Sequence, residues 1–460
     1  MSPPGVDVVV IGAGISGLTT AWRLKERGVS VAVIEAADEV GGAIQTRSAD
    51  GFLCEGGPNS FQTTPELLEL IREVGLEPEL VTADARLPRY IYYRGRLRRA
   101  PMSPGGIVST RLLGWPDKLR ALREPWVKPS AQRRDESLAD FVARRFGPLV
   151  LRNFVAPFAS GIYAGDPARL SARAVFPALV EFEEKYGSVL RGFIRSARAA
   201  PKPRQERLLG SFRTGLGALP GALARKLGDG AIRLGARVEA LALEARGGEK
   251  RFTVALGSAS GAESLEAGAV VLATPAYQAA EIVRPLSAGL EGELAAIEYP
   301  FLAGACLAFD ASDVPRPLEG FGFLVPRGEG VRALGCIWSS SLFPGRAPQG
   351  RILVTLFLGG ATDPEVASMT DDAIVKQAQL DLAATLGISA QGRVVALRRH
   401  RRAIPQYTLG HLARLGRIET EIAKIPGLFL AGNYLRGVSI GDCVKEAGRV
   451  ALAACACKAL

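Results

Sequence analysis

The stretch DVVVIGAGISGLTTAWRLKERGVSVAVIE, residues 7–35, narrows the possible folds more than any other part of the chain. Val8, Val9, Val10 and Ile11 make a short, mostly β-branched apolar run suited to a buried parallel strand. Gly12, Gly14 and Gly17 follow in G-x-G-x-x-G spacing. The first glycine permits a tight turn, the second lets a pyrophosphate approach the backbone, and the third lets the next helix lie close to the strand. Ala21, Trp22 and Leu24 continue an apolar helical face, and Gly28 stops it. Residues 29–34 read as a second strand closed by Glu35, 18 residues after Gly17, where a carboxylate accepts ribose hydroxyls. Strand, glycine turn, helix, strand and acid in this order predict a Rossmann-like unit for an adenine dinucleotide. Gly12, Gly14, Ile15, Ser16, Gly17, Glu35 and Ala36 are its contact residues. This unit alone leaves NAD and FAD open.

At 460 residues the chain is too long for one simple core, so two or three domains are expected, and 48% hydrophobic content makes them globular. Its six cysteines are scattered without metal-type spacing, which points to a reducing cytoplasm and to no metal site. No secretory signal is visible at the N-terminus. The longest charge-free stretch, residues 8–22, has three glycines and falls short of the ~20 apolar residues that span a bilayer. The net charge of +11 is concentrated: residues 85–134 hold 13 Lys or Arg against Asp117 and Glu124. Those cations alternate with Tyr90, Tyr92, Tyr93, Ile107, Val108, Leu112, Leu113, Trp115, Leu119, Leu122 and Trp126. Cations, leucines and tryptophans together suit an anionic lipid surface; a solvated charged face is the alternative, and no nucleic-acid motif is present.

Along the chain, residues 100–210 look mainly helical, with helices expected at 137–146, 149–158, 172–186 and 189–200 and hinges at Pro101–Pro104 and Pro201–Pro203. Helices at 65–74, 215–227, 371–386 and 442–456 and strands at 232–234, 238–243, 251–256, 269–272, 392–401 and 428–430 are predicted. Short apolar runs at 302–309, 320–325, 334–339 and 353–358, separated by Gly/Pro turns, predict a mixed or antiparallel sheet suited to a substrate wall. The nucleotide fold is thus interrupted, begun at the N-terminus, revisited near 235–275 and completed by 425–460.

Further glycine segments favour flavin. Gly41–Gly42 follows the acid closely, and EGGPNSF (55–61) offers a loop able to pass near a flat ring. Near the C-terminus, LAGNYLRGVSIGDCVKEAG (430–448) reads as strand, loop and helix N-terminus, whose partial positive charge suits a reduced flavin. With two histidines in the chain, His400 and His411, a Ser-His-Asp triad is not expected; His400, within RRHRR, is expected at the surface or at an interface.

Gly12–Gly17, Glu35, Gly41–Gly42 and GVSIGDC (437–443) resemble the amine-oxidase-like FAD superfamily. EGGPNSF (55–61), LPRYIYYRGRLRRAP (87–101), SGIYAGDPARLS (160–171), GFGFLVPRGEG (320–330) and IPQYTLGH (404–411) resemble, more narrowly, the oxygen-dependent protoporphyrinogen oxidase family, in its bacterial form. The resemblance implies an α/β protein with three parts. They are a discontinuous FAD domain (1–80, 235–275, 425–460), a mixed-sheet substrate domain (81–99, 205–234, 276–424) and an inserted helical membrane-binding domain (100–204). It implies a six-electron oxidation of a porphyrinogen with O2 reduced to H2O2. The implied partners are the porphyrinogen, O2 and the inner face of the cell membrane, with a homodimer left open. Among site residues it implies Arg89 on a propionate, Gly161 with its carbonyl towards the pyrrole N–H groups, Leu324 and Ile337 sandwiching the macrocycle, and Phe357 as a further wall. For FAD it implies Gly42, Gly57, Pro58, Asn59, Ser60, Val238, Leu412, Gly432, Val438, Ser439 and Ile440; Leu412 departs from relatives with Trp there. A coproporphyrinogen oxidase of the same family is the near alternative, a flavin amine oxidase or carotenoid desaturase a further one. A non-catalytic FAD-binding membrane scaffold is the alternative of another class.

Overall fold

The computed structural model describes residues 5–84, 86–101, 106, 109–129, 135–199, 208–246, 249–258 and 261–458. The hinge expected at 201–203, all but Pro101 of the hinge at 101–104, and Ile107 and Val108 lie outside them.

The opening apolar run folds as the strand Gly5–Ile11 at the centre of a seven-stranded sheet. It pairs in parallel with Val31–Ile34 on one side and with the C-terminal half of Gly261–Leu272 on the other. Ile232–Arg233 extends one edge in parallel, and Leu428–Leu430 adds in parallel beside Gly261–Leu272. Arg237–Arg246 and Glu249–Ser258 complete the sheet as antiparallel strands. One nucleotide sheet therefore draws strands from three distant stretches of sequence. The helices Ile15–Lys25 and Ile440–Lys458 share one apolar core against it, with Leu18, Leu24, Val444 and Val450 buried. Each such side chain stabilises the fold by roughly 1.5–3 kcal/mol.

A second seven-stranded sheet runs Arg393–His400, Leu302–Asp310, Arg351–Gly359, Gly335–Ile337, Gly322–Leu324, Arg89–Tyr93, Arg96–Arg99. All its pairings are antiparallel except that of Gly322–Leu324 with Arg89–Tyr93. The alternation of side chains splits its residues between two faces. Tyr92, Phe323, Cys336, Leu356 and Leu358 point to one face and are covered by Ile374, Ala378 and Leu382 of the helix Asp371–Leu386. The other face belongs to the candidate site. The last two strands form a hairpin that the sequence reading did not anticipate. Its tip, Arg94 and Gly95, has φ of 50° and 70°, the backbone of a two-residue turn with both central residues left-handed.

The described residues between 115 and 199 are mainly helical, with one correction at each of two predicted helices. The helix expected at 149–158 runs on through Tyr163 and contains a π-turn at Leu151–Val155. The helix expected at 172–186 is two, Ala172–Val175 and Pro177–Tyr186. Pro177 lacks an N–H and drives Phe176 out of the helical region, to φ −136° and ψ 64°. A buried ion pair ties this part together. Arg145 and Glu124 are both fully buried and paired, and Glu124 also accepts from Ser188 Oγ at 2.6 Å and Val189 N at 2.9 Å. The helix His411–Ile422 was not predicted; Gly416 in its middle obscured the apolar spacing of Leu415, Ile418 and Ile422. No described helix is long and apolar enough to cross a membrane.

Candidate functional site

Gly12 closes the first strand with φ +105°, and its N–H donates to the Ile34 carbonyl at 2.7 Å. A Cβ on Gly17 would lie 1.9 Å from the Gly12 carbonyl oxygen, so only glycine lets the helix approach the strand this closely. A Cβ on Gly14 would meet nothing within 4 Å: the turn opens onto free space at the N-terminus of the helix Ile15–Lys25. The first N–H groups of a helix have no partner within it, so this space is lined by donors from Ile15, Ser16 and Gly17 and suits an anion. Glu35 does more than was read from the sequence. Its Oε2 accepts from Ala13 N at 2.7 Å and its Oε1 from Ala37 N at 2.9 Å, so the carboxylate fastens the turn to the chain leaving the second strand. Carboxylate oxygens have lone pairs to spare for hydroxyl donors.

Of the other predicted FAD residues, Gly42 lies against this turn, and the rest are set by separate contacts around the same sheet. Gly41 N donates to Ala13 O at 2.8 Å, and a Cβ on Gly42 would come within 3.3 Å of Gly14 Cα. A Cβ on Gly57 would lie 2.1 Å from Ala43 O, so glycine is needed for residues 55–60 to rest on this segment, bringing Pro58, Asn59 and Ser60 with it. Asn59 Nδ2 donates to Gly57 O at 3.1 Å. Beside the second strand, Ala236 N donates to Glu35 O at 3.0 Å, which brings Val238 near exposed Ala36. From the far end of the chain, Ala431 N donates to Leu272 O at 2.9 Å and so sets Gly432 at the sheet's edge. Ser439 Oγ accepts from Asp442 N at 3.1 Å, capping the helix that starts at Ile440, two residues before the predicted start. Tyr407 was missed by the sequence reading: its hydroxyl donates to Asn433 O at 2.6 Å and accepts from Gly437 N at 2.8 Å, clamping the turn that ends in Val438. Leu412 is exposed on the first turn of its helix; its link to that turn runs through His411, whose ring stacks on Tyr407 at 4.2 Å.

The predicted substrate residues share the open face of the second sheet. Gly322 pairs with both Arg89 and Ile337, Leu324 with Ile91 and Gly335, and Gly335 with Phe357. Residues directly opposite or two apart lie on one face, so Arg89, Leu324, Ile337 and Phe357 form a single surface. Gly304, Gly322 and Gly335 in the same registers leave that surface flat. The helix Ala156–Tyr163 overhangs it: a Cβ on Gly161 would come within 2.8 Å of Leu324 Cδ2. Arg89 is half-buried over the Phe321 ring at 5.3 Å, and burial lowers its pKa from the usual arginine value, although a guanidinium keeps its charge.

Two connections join the glycine loop to this sheet. Asn59 and Ile337 line the same small cavity, with room for about one water molecule. Arg346 and Glu55, which also line it, form a buried ion pair at 3.2 Å, and burial raises the Glu55 pKa and lowers that of Arg346. His400, expected at the surface or at an interface, is half-buried between this sheet and the glycine loop, its Nε2 2.7 Å from the Gly56 carbonyl oxygen. Strand alternation sends Arg399 to the opposite face and His400 towards this loop.

The model of the flavin containing amine oxidoreductase family matches residues 15–455. The chloroplastic protoporphyrinogen oxidase of Nicotiana tabacum is 37% identical over 97% of this chain and 85% of its own length. The coproporphyrinogen III oxidase of Bacillus subtilis is 29% identical over 97% of both chains. A crystal structure of a provisionally assigned protoporphyrinogen oxidase from Exiguobacterium sp. 255-15 superposes with a TM-score of 0.82 at 26% identity, covering 98% of this chain and 99% of that one. FAD is accordingly the cofactor, and the open, donor-lined space at Gly14 fits its pyrophosphate. The chain belongs to the flavin containing amine oxidoreductase family, among its protoporphyrinogen oxidase relatives.

Proposed function

We propose that this protein oxidises protoporphyrinogen IX to protoporphyrin IX, a six-electron reaction in which three O2 are reduced to three H2O2. One observation carries the reading: a half-buried arginine and a flat apolar floor lie on one sheet face, beside the loop that rests on the glycine turn. Bound FAD supplies the hydride acceptor and returns electrons to O2. Arg89 holds a propionate by bidentate pairing, which sets the macrocycle's orientation. Leu324, Ile337 and Phe357 cover its apolar faces and exclude water. Gly161 lets the helix backbone approach the ring, with its carbonyl towards the pyrrole N–H groups. Gly12, Gly14, Ile15, Ser16, Gly17, Glu35, Ala36, Gly42, Gly57, Pro58, Asn59, Ser60, Val238, Leu412, Gly432, Val438, Ser439 and Ile440 hold the cofactor. Plant relatives at 35–37% identity favour the two-propionate substrate over the four-propionate one named for the relative at 29%. Porphyrin fluorescence and H2O2 release from each porphyrinogen test this: faster turnover of coproporphyrinogen reverses the preference, and no porphyrin from either refutes the activity.

In the same reading the FAD part is 1–80, 235–275 and 425–460, the substrate part 81–99, 205–234 and 276–424, and the membrane-facing part 100–204. Support for the last comes from the helix Trp115–Leu122 and the turn after it. Trp115 and Trp126 are 69% and 76% exposed, with Leu119 and Leu122 on the same side and Arg120 and Arg123 beside them. The protein then sits peripherally on the cytoplasmic face of the membrane. Flotation with anionic liposomes tests it: a Trp115→Ala/Trp126→Ala variant should float less, and a wild type that never floats refutes the assignment. Light scattering distinguishes monomer from homodimer.

A further inference from the structure

The hairpin carrying Arg89 holds four more arginines, Arg94, Arg96, Arg98 and Arg99. The strand register separates them. Arg99 is opposite Tyr90, on the face buried against the helix Asp371–Leu386 side of the sheet, and is exposed. Arg94 is in the turn, its Cζ over the Tyr93 ring at 5.2 Å. Arg96, opposite Tyr93, is on the face of Arg89 but at the far end of the hairpin, and is exposed. Arg98 is opposite Ile91, on the face shared by Arg89 and Leu324. Because Ala100 N donates to Arg89 O at 2.7 Å, Ala100 is opposite Arg89 and Arg98 is its diagonal neighbour. Such neighbours are about 7–8 Å apart, within reach of two long side chains. On this face Ile91, opposite Arg98, is buried in a cluster with Tyr93 and Leu112, on which Ala100 and Phe154 pack. Its Nε is buried and has no hydrogen-bond partner among the described residues. A desolvated guanidinium nitrogen without an acceptor is costly, and an incoming carboxylate relieves that cost.

We infer that Arg98 is a second substrate-binding cation, acting with Arg89 as a pair of guanidinium groups for two carboxylates on one edge of the macrocycle. This rests on the porphyrinogen reading. A substrate with two neighbouring propionates presents both at one edge, and two diagonal arginines on one sheet face match that spacing. The pair binds and orients without taking part in bond changes, so its loss shows in KM and leaves kcat nearly unaltered.

The test uses flavin-loaded wild type, Arg98→Gln and Arg98→Lys, with protoporphyrinogen IX and its dimethyl ester. Arg98→Gln should raise KM for the diacid roughly 10- to 100-fold, the range of a lost hydrogen bond to a charged group, with kcat within about twofold. On the ester, wild type and Arg98→Gln should have similar KM, and Arg98→Lys should fall between them on the diacid. A wild-type KM in Arg98→Gln, or an equal rise on diacid and ester, overturns the inference while leaving the reaction standing. A wild type that makes porphyrin from neither compound overturns the reaction and the inference with it. Should Arg98→Gln fail to retain flavin, Arg98→Lys decides alone: a raised KM on the diacid only supports the pair, and an unchanged one overturns it.

Discussion

Gly161 makes opposite demands on stability and activity, and that makes it the sharpest test of the site. It is an interior residue of the helix Ala156–Tyr163, where glycine is less favourable than alanine by about 1 kcal/mol. Helix propensity alone therefore makes Gly161→Ala neutral or stabilising. The added Cβ would sit 2.8 Å from Leu324 Cδ2, the far end of a flexible side chain that can turn aside at small cost to the fold. Turning aside, Leu324 moves over the floor on which we place the macrocycle. If the substrate has to absorb an overpacking of about 1–3 kcal/mol, kcat/KM falls roughly 5- to 150-fold, with Gly161→Val at the upper end. Thermal melting, the ratio of flavin to protein absorbance and porphyrin fluorescence read the three consequences separately. The expected pattern is unchanged Tm for Gly161→Ala, full flavin content in both variants, and activity falling from Gly to Ala to Val. Leu324→Ala combined with Gly161→Ala should recover part of the loss, because the two residues are in contact and their effects are not additive. Wild-type kcat/KM in both single variants would refute the reasoning, as would activity lost only in step with Tm.

Glu35→Ala removes the acceptor of two backbone N–H groups and the proposed ribose contact, so flavin should be lost on desalting, read from absorbance near the flavin band; a fully flavinated variant contradicts the role. Glu124→Ala takes from the fully buried Arg145 guanidinium one of its two carboxylate partners, Glu183 at 3.2 Å remaining, and leaves Ser188 Oγ and Val189 N without their acceptor; it should cost about 1–3 kcal/mol in urea unfolding, an unchanged stability contradicting the account. His411 is pushed down to about 4 by burial first and by the Arg414 charge second. The unfolded chain titrates near 6.5, so between those values it binds the proton that the folded chain refuses. Stability should thus fall by up to about 3 kcal/mol as pH drops from 6.5 to 4. His411→Phe should flatten that part of the profile, and an unaltered slope would exclude His411 as its source.

The sequence by itself determined what depends on neighbours along the chain. The period of apolar residues and the positions of glycines settle strand, turn and helix within a few residues of one another, so Gly5–Ile11, Ile15–Lys25 and Val31–Ile34 were legible with their boundaries nearly right. Even local reading failed where a proline or glycine interrupted a pattern, as at Pro177 and Gly416, and where Arg94 and Gly95 turned a hairpin amid a run of cations. The residues named for the substrate came from motif likeness, which offers identity without arrangement. Tertiary structure alone decided that Arg89, Leu324, Ile337 and Phe357 share one face, that Gly161 overhangs Leu324, and that Tyr407 clamps the turn before Val438. It also decided which of five neighbouring arginines in the hairpin lie together. The physical reason is common to all of these: sheet register and helix-on-sheet approach are set by contacts between segments far apart in the chain. A shift of one residue in register would send every one of these side chains to the opposite face.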